Sequence, residues 1–291
     1  MSYKSVVLIK QVPDTKNISG EVMKADGTVN RSALPAIFNP EDLNALEMAL
    51  EVRDEYGGSV TVLTMGPPRS AEILRASLFR GADEVVLLTD RRFAGADTLA
   101  TAYALSKAVE KVGDVDLVFC GRQAIDGDTA QVGPQVAECL GIPQITYAER
   151  VESLADGHIQ IHRSIEDGYE LLESRLPVLL TVLDTANEPR YPNAKRLMKY
   201  KTAKTQLDLS EEEQQDGVAL EALQARGLEI PVWNVDDIGA NTEQCGLSGS
   251  PTKVAKVESV QLVATEIKNI EPTPAGVGEL IHELIEDHTL G

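Results

Sequence analysis

Residues 116–140 of the chain read DLVFCGRQAIDGDTAQVGPQVAECL, and this stretch decides the fold. Its first residues, Asp116 to Cys120, are predicted to form a strand, because the four residues after Asp116 are apolar, which is typical of a strand that is buried on both faces of a sheet. A loop that opens with Gly121 follows, and the residues from about Thr129 to Leu140 have helical spacing. The stretch is therefore one strand–loop–helix unit, the unit from which α/β domains are built.

The same alternation extends outward from this unit. Buried strands are predicted at residues 5–9, 60–63, 84–88 and 177–182, and helices at Ser70 to Phe79 and Asp97 to Val112. Short segments at 144–153, 158–165 and 168–174, separated by Asp-Gly turn signals, predict added antiparallel strands. Strict alternation of strand and helix implies right-handed crossovers. We therefore predict an α/β fold, an open doubly wound parallel sheet with added antiparallel strands.

Two further local patterns lie near the amino end. Asp26-Gly27, between Val22 and Val29, predicts a surface hairpin turn. The run Asn39-Pro40-Glu41-Asp42 predicts the start of a helix, because asparagine caps helices, proline suits the first position and acids favour the first turn. The apolar residues after it, which would face the core, are Leu43, Leu46, Ala49 and Leu50.

Composition and charge exclude several classes of function. The formal net charge of −19, from 46 acidic and 27 basic residues, repels phosphate backbones and argues against a nucleic-acid partner. No apolar run approaches the roughly eighteen residues that a membrane span needs, and no secretory signal pattern is found, so we expect a cytoplasmic protein. Cys120, Cys139 and Cys245 lie far apart, which predicts small core residues rather than a metal site or a disulfide framework.

The loop after the central strand is the candidate phosphate site. Ligands of open parallel sheets bind beyond the carboxyl ends of the strands, near helix amino termini. Backbone N–H groups around Asp128 to Val132 would be free to hold phosphate, with Thr129 as a hydroxyl donor and Arg122 as a counter-charge. Neither the Rossmann nor the P-loop glycine pattern occurs, and a structural turn explains the spacing equally well.

The segment 161–181 carries a resemblance to a known family. Ile161 and the pattern Arg163-x-x-Glu166-Asp167-Gly168-x-Glu170-x-Leu172, followed by Pro177-x-Leu179-Leu180-Thr181, resemble the signature of electron transfer flavoprotein beta subunits. The resemblance extends to Asn39-Pro40, Met65-Gly66-Pro67, Gly121 to Val132 and Asn187 to Tyr191. It thus spans most of the first 200 residues.

This resemblance implies an adenine-nucleotide-binding fold and an alpha-subunit partner that carries FAD. The residues that would line the beta subunit's own pocket are Leu8, Asn39, Pro40, Glu41, Asp42, Met65, Gly121, Arg122, Gln123, Ala124, Ile125, Asp126, Gly127, Asp128, Thr129, Ala130, Gln131 and Val132. It also implies three regions, namely a nucleotide-binding domain at 1–190, a partner-docking loop and irregular insert at 191–256, and a carboxyl-terminal arm at 257–291 that contacts the alpha subunit. The arm includes an amphipathic stretch from Val277 to Ile285.

The stretch Asp126 to Pro134, like Trp233 to Gly239, resembles the electron-bifurcating group, whose beta pocket holds a second FAD. In that group NADH gives a hydride to this FAD, one electron goes to ferredoxin or flavodoxin, and the other passes through the alpha-subunit FAD to a flavin dehydrogenase. No catalytic acid or nucleophile and no metal is implied. One alternative is a simple electron carrier with structural AMP in the beta pocket, and another is a nucleotide-sensing binding module.

The docking loop departs from the family pattern at one position. Many members place a leucine where this chain has Ala194, within Pro192 to Lys199, in the loop that docks into an acyl-CoA dehydrogenase. Alanine would bury less apolar area there, so either Leu197 supplies the anchor from a shifted loop or the partner is another flavoenzyme, such as a 2-hydroxy-acid dehydrogenase. A surface helix without a docking role is the remaining interpretation.

Overall fold

Strands and helices alternate along the chain, and the computed structural model describes them over residues 2–14, 35–252, 268–286 and 289. The strands are β1 (Tyr3–Leu8), β2 (Gln11–Pro13), β3 (Ala36–Phe38), β4 (Gly58–Met65), β5 (Glu84–Leu88), β6 (Leu117–Gly121), β7 (Gln144–Ala155), β8 (His158–Ile165), β9 (Gly168–Arg175), β10 (Val178–Val182) and β11 (Val232–Trp233). The helices are α1 (Pro40–Tyr56), α2 (Ala71–Arg80), α3 (Thr98–Val112), α4 (Val132–Leu140), α5 (Ala194–Tyr200), α6 (Glu211–Asp216), α7 (Val218–Ala225) and α8 (Pro274–Glu286).

The main sheet of the described chain has nine strands in the order β11-β5-β4-β1-β6-β10-β7-β8-β9. Its strands from β11 to β7 pair in parallel, whereas β8 and β9 add antiparallel ladders. The predicted doubly wound sheet is therefore confirmed. Two details differ, because β7 pairs in parallel with β10, and β11 forms an edge strand within the segment that the sequence predicted to be irregular.

Helices cover both faces of the sheet. Leu46 of α1 and Leu74 of α2 belong to the core cluster that contains Val7, whereas Ala104 of α3 belongs to the cluster that contains Val6 on the opposite face. Successive residues of β1 point to opposite faces, which explains why an unbroken apolar run is needed there. The chain leaves β1 toward α1 but leaves the neighbouring β6 toward α4 on the other face. The carboxyl ends of β1 and β6 therefore form the topological switch point of the sheet.

Other sequence-based expectations have mixed outcomes. Cys120 and Cys245 are buried as predicted, but Cys139 is exposed because it lies on the outer side of α4. Leu43 is only partly buried, whereas the other three predicted core positions of α1 are buried. The predicted turn at residues 26–27 lies outside the described residues. No helix in the described part of the chain combines the length and apolar character that crossing a bilayer requires.

The chain divides into two compact units, Met1–Val254 and Ala255–Gly291. The first holds the whole nine-stranded sheet. The second contributes α8, which begins at Pro274, the last residue of Pro272-Thr273-Pro274, and includes the stretch predicted to be amphipathic. Val277, Ile281 and Ile285 on this helix are each close to half exposed. The predicted functional division into three regions stays a prediction.

Candidate functional site

The residues predicted to bind a nucleotide lie along the carboxyl edge of the parallel sheet. Leu8 ends β1, Met65 ends β4 and Gly121 ends β6. The run from residue 39 to residue 42 opens α1, and residues 122–131, here named the β6 loop, connect β6 to α4. Hydrogen bonds join the start of α1, the residue after β1 and the β6 loop, so these segments form one continuous region at the switch point, here named the crevice.

Two acidic residues in the first turn of α1 hold the walls of this crevice. Asp42 is 6% exposed, and its Oδ2 accepts from the backbone N–H of Lys10 at 2.7 Å while its Oδ1 accepts from that of Gly121 at 3.0 Å. Glu41 is 5% exposed, and its Oε2 accepts from the N–H of Gln123 at 2.8 Å. These carboxylates thus stabilise the loops that follow β1 and β6, in addition to their favourable place at a helix amino terminus.

Asn39 does not cap α1 with its side chain, contrary to the prediction. The structure records no side-chain capping bond at this helix start. Instead Asn39 Nδ2 donates to the carbonyl of Gln123 at 2.8 Å, and Asn39 Oδ1 accepts from the N–H of Ile125 at 3.2 Å. The Asn39 side chain does not cap the helix because the β6 loop offers competing hydrogen-bond partners. Through these bonds Asn39 fixes the shape of that loop.

Gly121 is required by close packing. A Cβ at this position would lie 2.6 Å from Oδ1 of Asp42 and 2.8 Å from the backbone carbonyl carbon of Glu41. Real Cβ atoms do not approach that closely, so any larger residue would push β6 away from α1. The close approach places the β6 loop directly against the amino terminus of α1.

The β6 loop presents backbone donors. Asp128 and Ala130 both adopt left-handed conformations, with φ of 47° and 51°. Among the described residues, the backbone N–H groups of Thr129, Ala130, Gln131 and Val132 have no hydrogen-bond acceptor, whereas that of Asp128 donates to the carbonyl of Ala124. Consecutive free N–H groups in such a conformation form a concave anion-binding nest, and this one continues into the amino terminus of α4. The geometry therefore fits a phosphate or diphosphate group.

One sequence-based prediction about this loop was wrong in detail. Helix α4 begins at Val132, three residues later than predicted, because the chain turns through Ala130 in the left-handed region. Gly127, in the same loop, does not have a positive φ. What Gly127 provides is space, since a Cβ there would find no atom within 4 Å.

The charged side chains of the crevice are paired. Arg122 Nη2 contacts Glu41 Oε1 at 2.7 Å, and Lys10 Nζ contacts Asp126 Oδ1 at 2.8 Å. Gln123 Nε2 donates to Asp128 Oδ1 at 3.0 Å. Arg122 is therefore held by Glu41, and its predicted role as a counter-charge to phosphate stays a prediction.

Asp42 has a strongly perturbed pKa. Burial raises the pKa of its carboxyl group from an ordinary 3.8 to about 7, because the charged form loses its hydration. Hydrogen bonds from Lys10, Asn39 and Gly121 oppose this effect, and the nearby charge of Glu41 adds to it. The same burial and the two acids raise the pKa of the Cys120 thiol, so Cys120 is inert as a nucleophile.

The remaining predicted residues differ in accessibility. Leu8 is buried with the α3 and α4 face of the core, beneath the crevice, and Met65 is partly buried beside it. Thr64, next to Met65, has a buried hydroxyl with no partner among the described residues. Thr98, at the start of α3, donates its hydroxyl to Gln131 Oε1 at 3.1 Å, which ties the β6 loop to a third element.

A set of buried polar residues behind the crevice was not predicted as functional. Asn44 on α1 donates to the carbonyls of Asp184 and Asn187, at 3.1 and 2.8 Å. Glu47, on the next turn, pairs with Arg190 at 2.9 Å. These contacts attach residues 184–190 to α1, and the signal that could have found them is the presence of polar residues on the core-facing side of an otherwise apolar helix.

The predicted docking residues lie on α5. Asn193 caps this helix by accepting from the N–H groups of Lys195 and Arg196, and the Arg196 side chain donates to the carbonyls of Leu78 and Ala82. Ala194 and Leu197 are exposed. Two exposed apolar neighbours that were not predicted as docking residues add to this surface, namely Tyr191 at 83% and Met198 at 63%.

A separate groove of about 410 Å³ lies on the sheet edge near β5, away from the crevice. It is lined by Arg92, Thr242, Glu243, Cys245 and Ser248. Its one cation, Arg92, is held by Asp90 at 2.6 Å and Asp236 at 2.7 Å. Because two carboxylates already pair with this cation, the groove is a poorer anion site than the nest in the β6 loop.

Comparison with known proteins agrees with the resemblance. Residues 26–211 match the electron transfer flavoprotein domain. The electron transfer flavoprotein subunit beta of Thermoanaerobacterium thermosaccharolyticum is 45% identical over 97% of this chain and 96% of its own length. Protein FixA of Azorhizobium caulinodans is 46% identical over 87% of this chain and 83% of its own length. The caffeyl-CoA reductase-Etf complex subunit CarD of Acetobacterium woodii is 41% identical over 98% of this chain and 99% of its own length.

Proposed function

The chain belongs to the electron transfer flavoprotein family as a beta subunit, and on that premise we propose that the crevice between β1 and β6 binds FAD in an electron-bifurcating complex. A beta subunit transfers electrons together with an alpha subunit. The single observation that carries the proposal is the nest of free N–H groups at Thr129 to Val132, at the switch point of the sheet.

Each part of the crevice has a defined task under this proposal. The N–H groups of the nest would receive the diphosphate, and the open space beside Gly127 would leave room for a group larger than one phosphate. The exposed carboxylate of Asp128 would accept from a ribose hydroxyl, in place of its bond from Gln123. Glu41 and Asp42 would hold the walls and not touch the phosphates, since backbone donors already occupy both.

When bound, FAD supplies the redox chemistry, namely that it can accept a hydride from NADH and pass on single electrons. One electron would go to ferredoxin or flavodoxin and the other to the alpha-subunit FAD. The names of two relatives, a subunit of a caffeyl-CoA reductase-Etf complex and FixA, are compatible with this form of the proposal. Structural AMP in the same crevice is the alternative, in which case the alpha flavin would be the only one.

We extend the proposal to two surfaces. A flavin dehydrogenase of the acyl-CoA or 2-hydroxy-acid type would dock on the exposed apolar residues of α5 and of the segment that precedes it. Leu197 and Met198 are among these residues. The arm at 257–291, which includes α8, would contact the alpha subunit. On this interpretation residues 191–256 serve dehydrogenase docking and residues 1–190 serve cofactor binding.

The test is a count of nucleotides released from the purified, denatured heterodimer. Two FAD and no AMP per heterodimer would support the proposal, and one FAD with one AMP would replace it by the simple-carrier alternative. In the same assay Asp128→Ala should lower FAD in the beta site and leave the alpha flavin bound. Asp114→Ala is a matched control, because Asp114 is also exposed and has a similar φ of 50° but lies between α3 and β6, at the opposite edge of the sheet.

A further inference from the structure

Lys10 makes an ion pair across the crevice. Its backbone follows β1 and is fixed by the bond from its N–H to Asp42. Its Nζ lies 2.8 and 2.9 Å from the two carboxylate oxygens of Asp126, in the β6 loop. The Lys10 side chain is 49% exposed and that of Asp126 is 27% exposed. The pair therefore joins the loop after β1 to the β6 loop, which carries the N–H nest. Asp126 lies three residues before Thr129, the first residue of the nest.

Among the residues that the structure describes, the crevice contains two paired cations, and they differ in how easily each can leave its partner. Arg122 pairs with Glu41, whose side chain is only 7% exposed, so moving Arg122 would leave a buried carboxylate with one fewer partner. Lys10 pairs with a carboxylate that water can reach. An exposed pair contributes little stability, so breaking it costs little. Lys10 is thus the cation that is available to an incoming anion.

We infer that Lys10 is a phosphate-contacting residue of the nucleotide site, and that its ammonium group moves from Asp126 to the diphosphate when a nucleotide occupies the nest. This inference rests on the proposed function and adds a side-chain contact to the backbone donors. A lysine suits the task because it acts as a mobile point charge on a flexible stem. Asp126 turns toward solvent in the occupied state, which its exposure allows.

The exchange has a consequence for ligand preference. A nucleoside diphosphate gains the Lys10 contact, whereas a nucleoside without phosphate gains nothing from it. A residue that only clamped the loop would affect both ligands, because loop geometry matters to the whole nucleoside. The comparison of ADP with adenosine therefore separates a phosphate contact from a structural clamp.

The experiment uses the full heterodimer with the alpha flavin in place and the beta-site nucleotide removed, titrated calorimetrically with ADP and with adenosine. Lys10→Gln should lower the affinity for ADP about tenfold and change the affinity for adenosine less than about twofold. Lys10→Arg should retain most of the ADP affinity. Asp126→Asn releases Lys10 and removes a negative charge near the phosphates, so it should raise the affinity for ADP about threefold.

Lys107→Gln is the matched control. Lys107 forms a comparable exposed ion pair, 2.7 Å from Glu110 on α3, and its loss changes the net charge by the same amount. Equal ADP affinities for Lys10→Gln and Lys107→Gln would overturn the inference. An equal loss of affinity for ADP and for adenosine in Lys10→Gln would also overturn it. A wild-type complex that binds neither ligand would refute the proposed nucleotide site itself and the Lys10 contact with it.

Discussion

Replacing Asp42 by asparagine should abolish a pH-dependent loss of stability. In the folded chain the pKa of Asp42 is raised to about 7, against 3.8 when its carboxyl group is in water. Between these values the folded state holds a proton that the unfolded state has released. The stabilising contribution of the neutral form is therefore complete below about pH 4 and is lost as the pH rises through about 7.

The size of the effect follows from the shift. A rise of about 3 pKa units corresponds to about 4 kcal/mol, at about 1.4 kcal/mol per unit. Asp42 is 6% exposed, so solvent screening reduces this figure little. Asparagine has nearly the same shape and stays neutral at every pH. Its amide nitrogen cannot accept the bond that one carboxyl oxygen accepts, and the cost of that lost bond does not change with pH.

The assay is urea unfolding of the purified chain, followed by the fluorescence of Trp233, the single tryptophan in the sequence. The free energy of unfolding is compared between wild type and Asp42→Asn at several values from about pH 5 to about pH 8.5. The difference between the two proteins should grow in favour of the variant by a few kcal/mol across this range. Asp128→Asn is the control, because it makes the same chemical change at an exposed residue of the same crevice.

A difference between wild type and Asp42→Asn that is independent of pH would refute the reasoning. It would mean that the three hydrogen bonds from Lys10, Asn39 and Gly121 compensate the burial of the charge completely. A difference that grew in the opposite direction, with the wild type gaining at high pH, would show that these donors lower the pKa below its ordinary value.

Three further predictions about the crevice are tested by the same unfolding assay. Gly121→Ala should cost about 2 kcal/mol because its Cβ overlaps α1, whereas Gly127→Ala, with open space around it, should be close to neutral. Arg190→Met should cost about 3 kcal/mol by leaving Glu47 buried and unpaired, and the added change Glu47→Gln should recover part of that loss. Ala130→Gly should stabilise the chain by up to about 1 kcal/mol, since glycine adopts a φ of 51° without strain, and a loss of stability would contradict the left-handed conformation.

The fold and the position of the crevice could be predicted from the sequence because both follow from strong local patterns. Continuous apolar runs at β1 and β6 identify buried parallel strands, and the rule that ligands bind beyond strand carboxyl ends then selects the loops after them. The prediction needed no long-range contact. It depended only on strand order, which the alternation with helices restricts.

The details that failed depend on contacts far apart in sequence. Asn39 is a good cap by local rules, but its side chain bonds to residues 84 and 86 positions away, which no local pattern reveals. The start of α4 was placed too early because alanine rarely has a positive φ, so nothing at Ala130 signals the turn. Strand β11 has two residues, too few for any periodicity to be recognised.

The crevice also explains how a chain of net charge −19 can bind a diphosphate. Glu41 is paired with Arg122, and Asp128 accepts a hydrogen bond from Gln123. Asp126 is paired with Lys10 until a nucleotide binds, and it then turns toward solvent while Lys10 contacts the phosphates. Asp42, with its pKa near 7, is partly protonated at neutral pH. A phosphate in the nest therefore meets free N–H donors and few uncompensated charges. Overall charge is a poor guide to such a site, because contacts of about 3 Å outweigh distant charges that salt screens over roughly 8–10 Å.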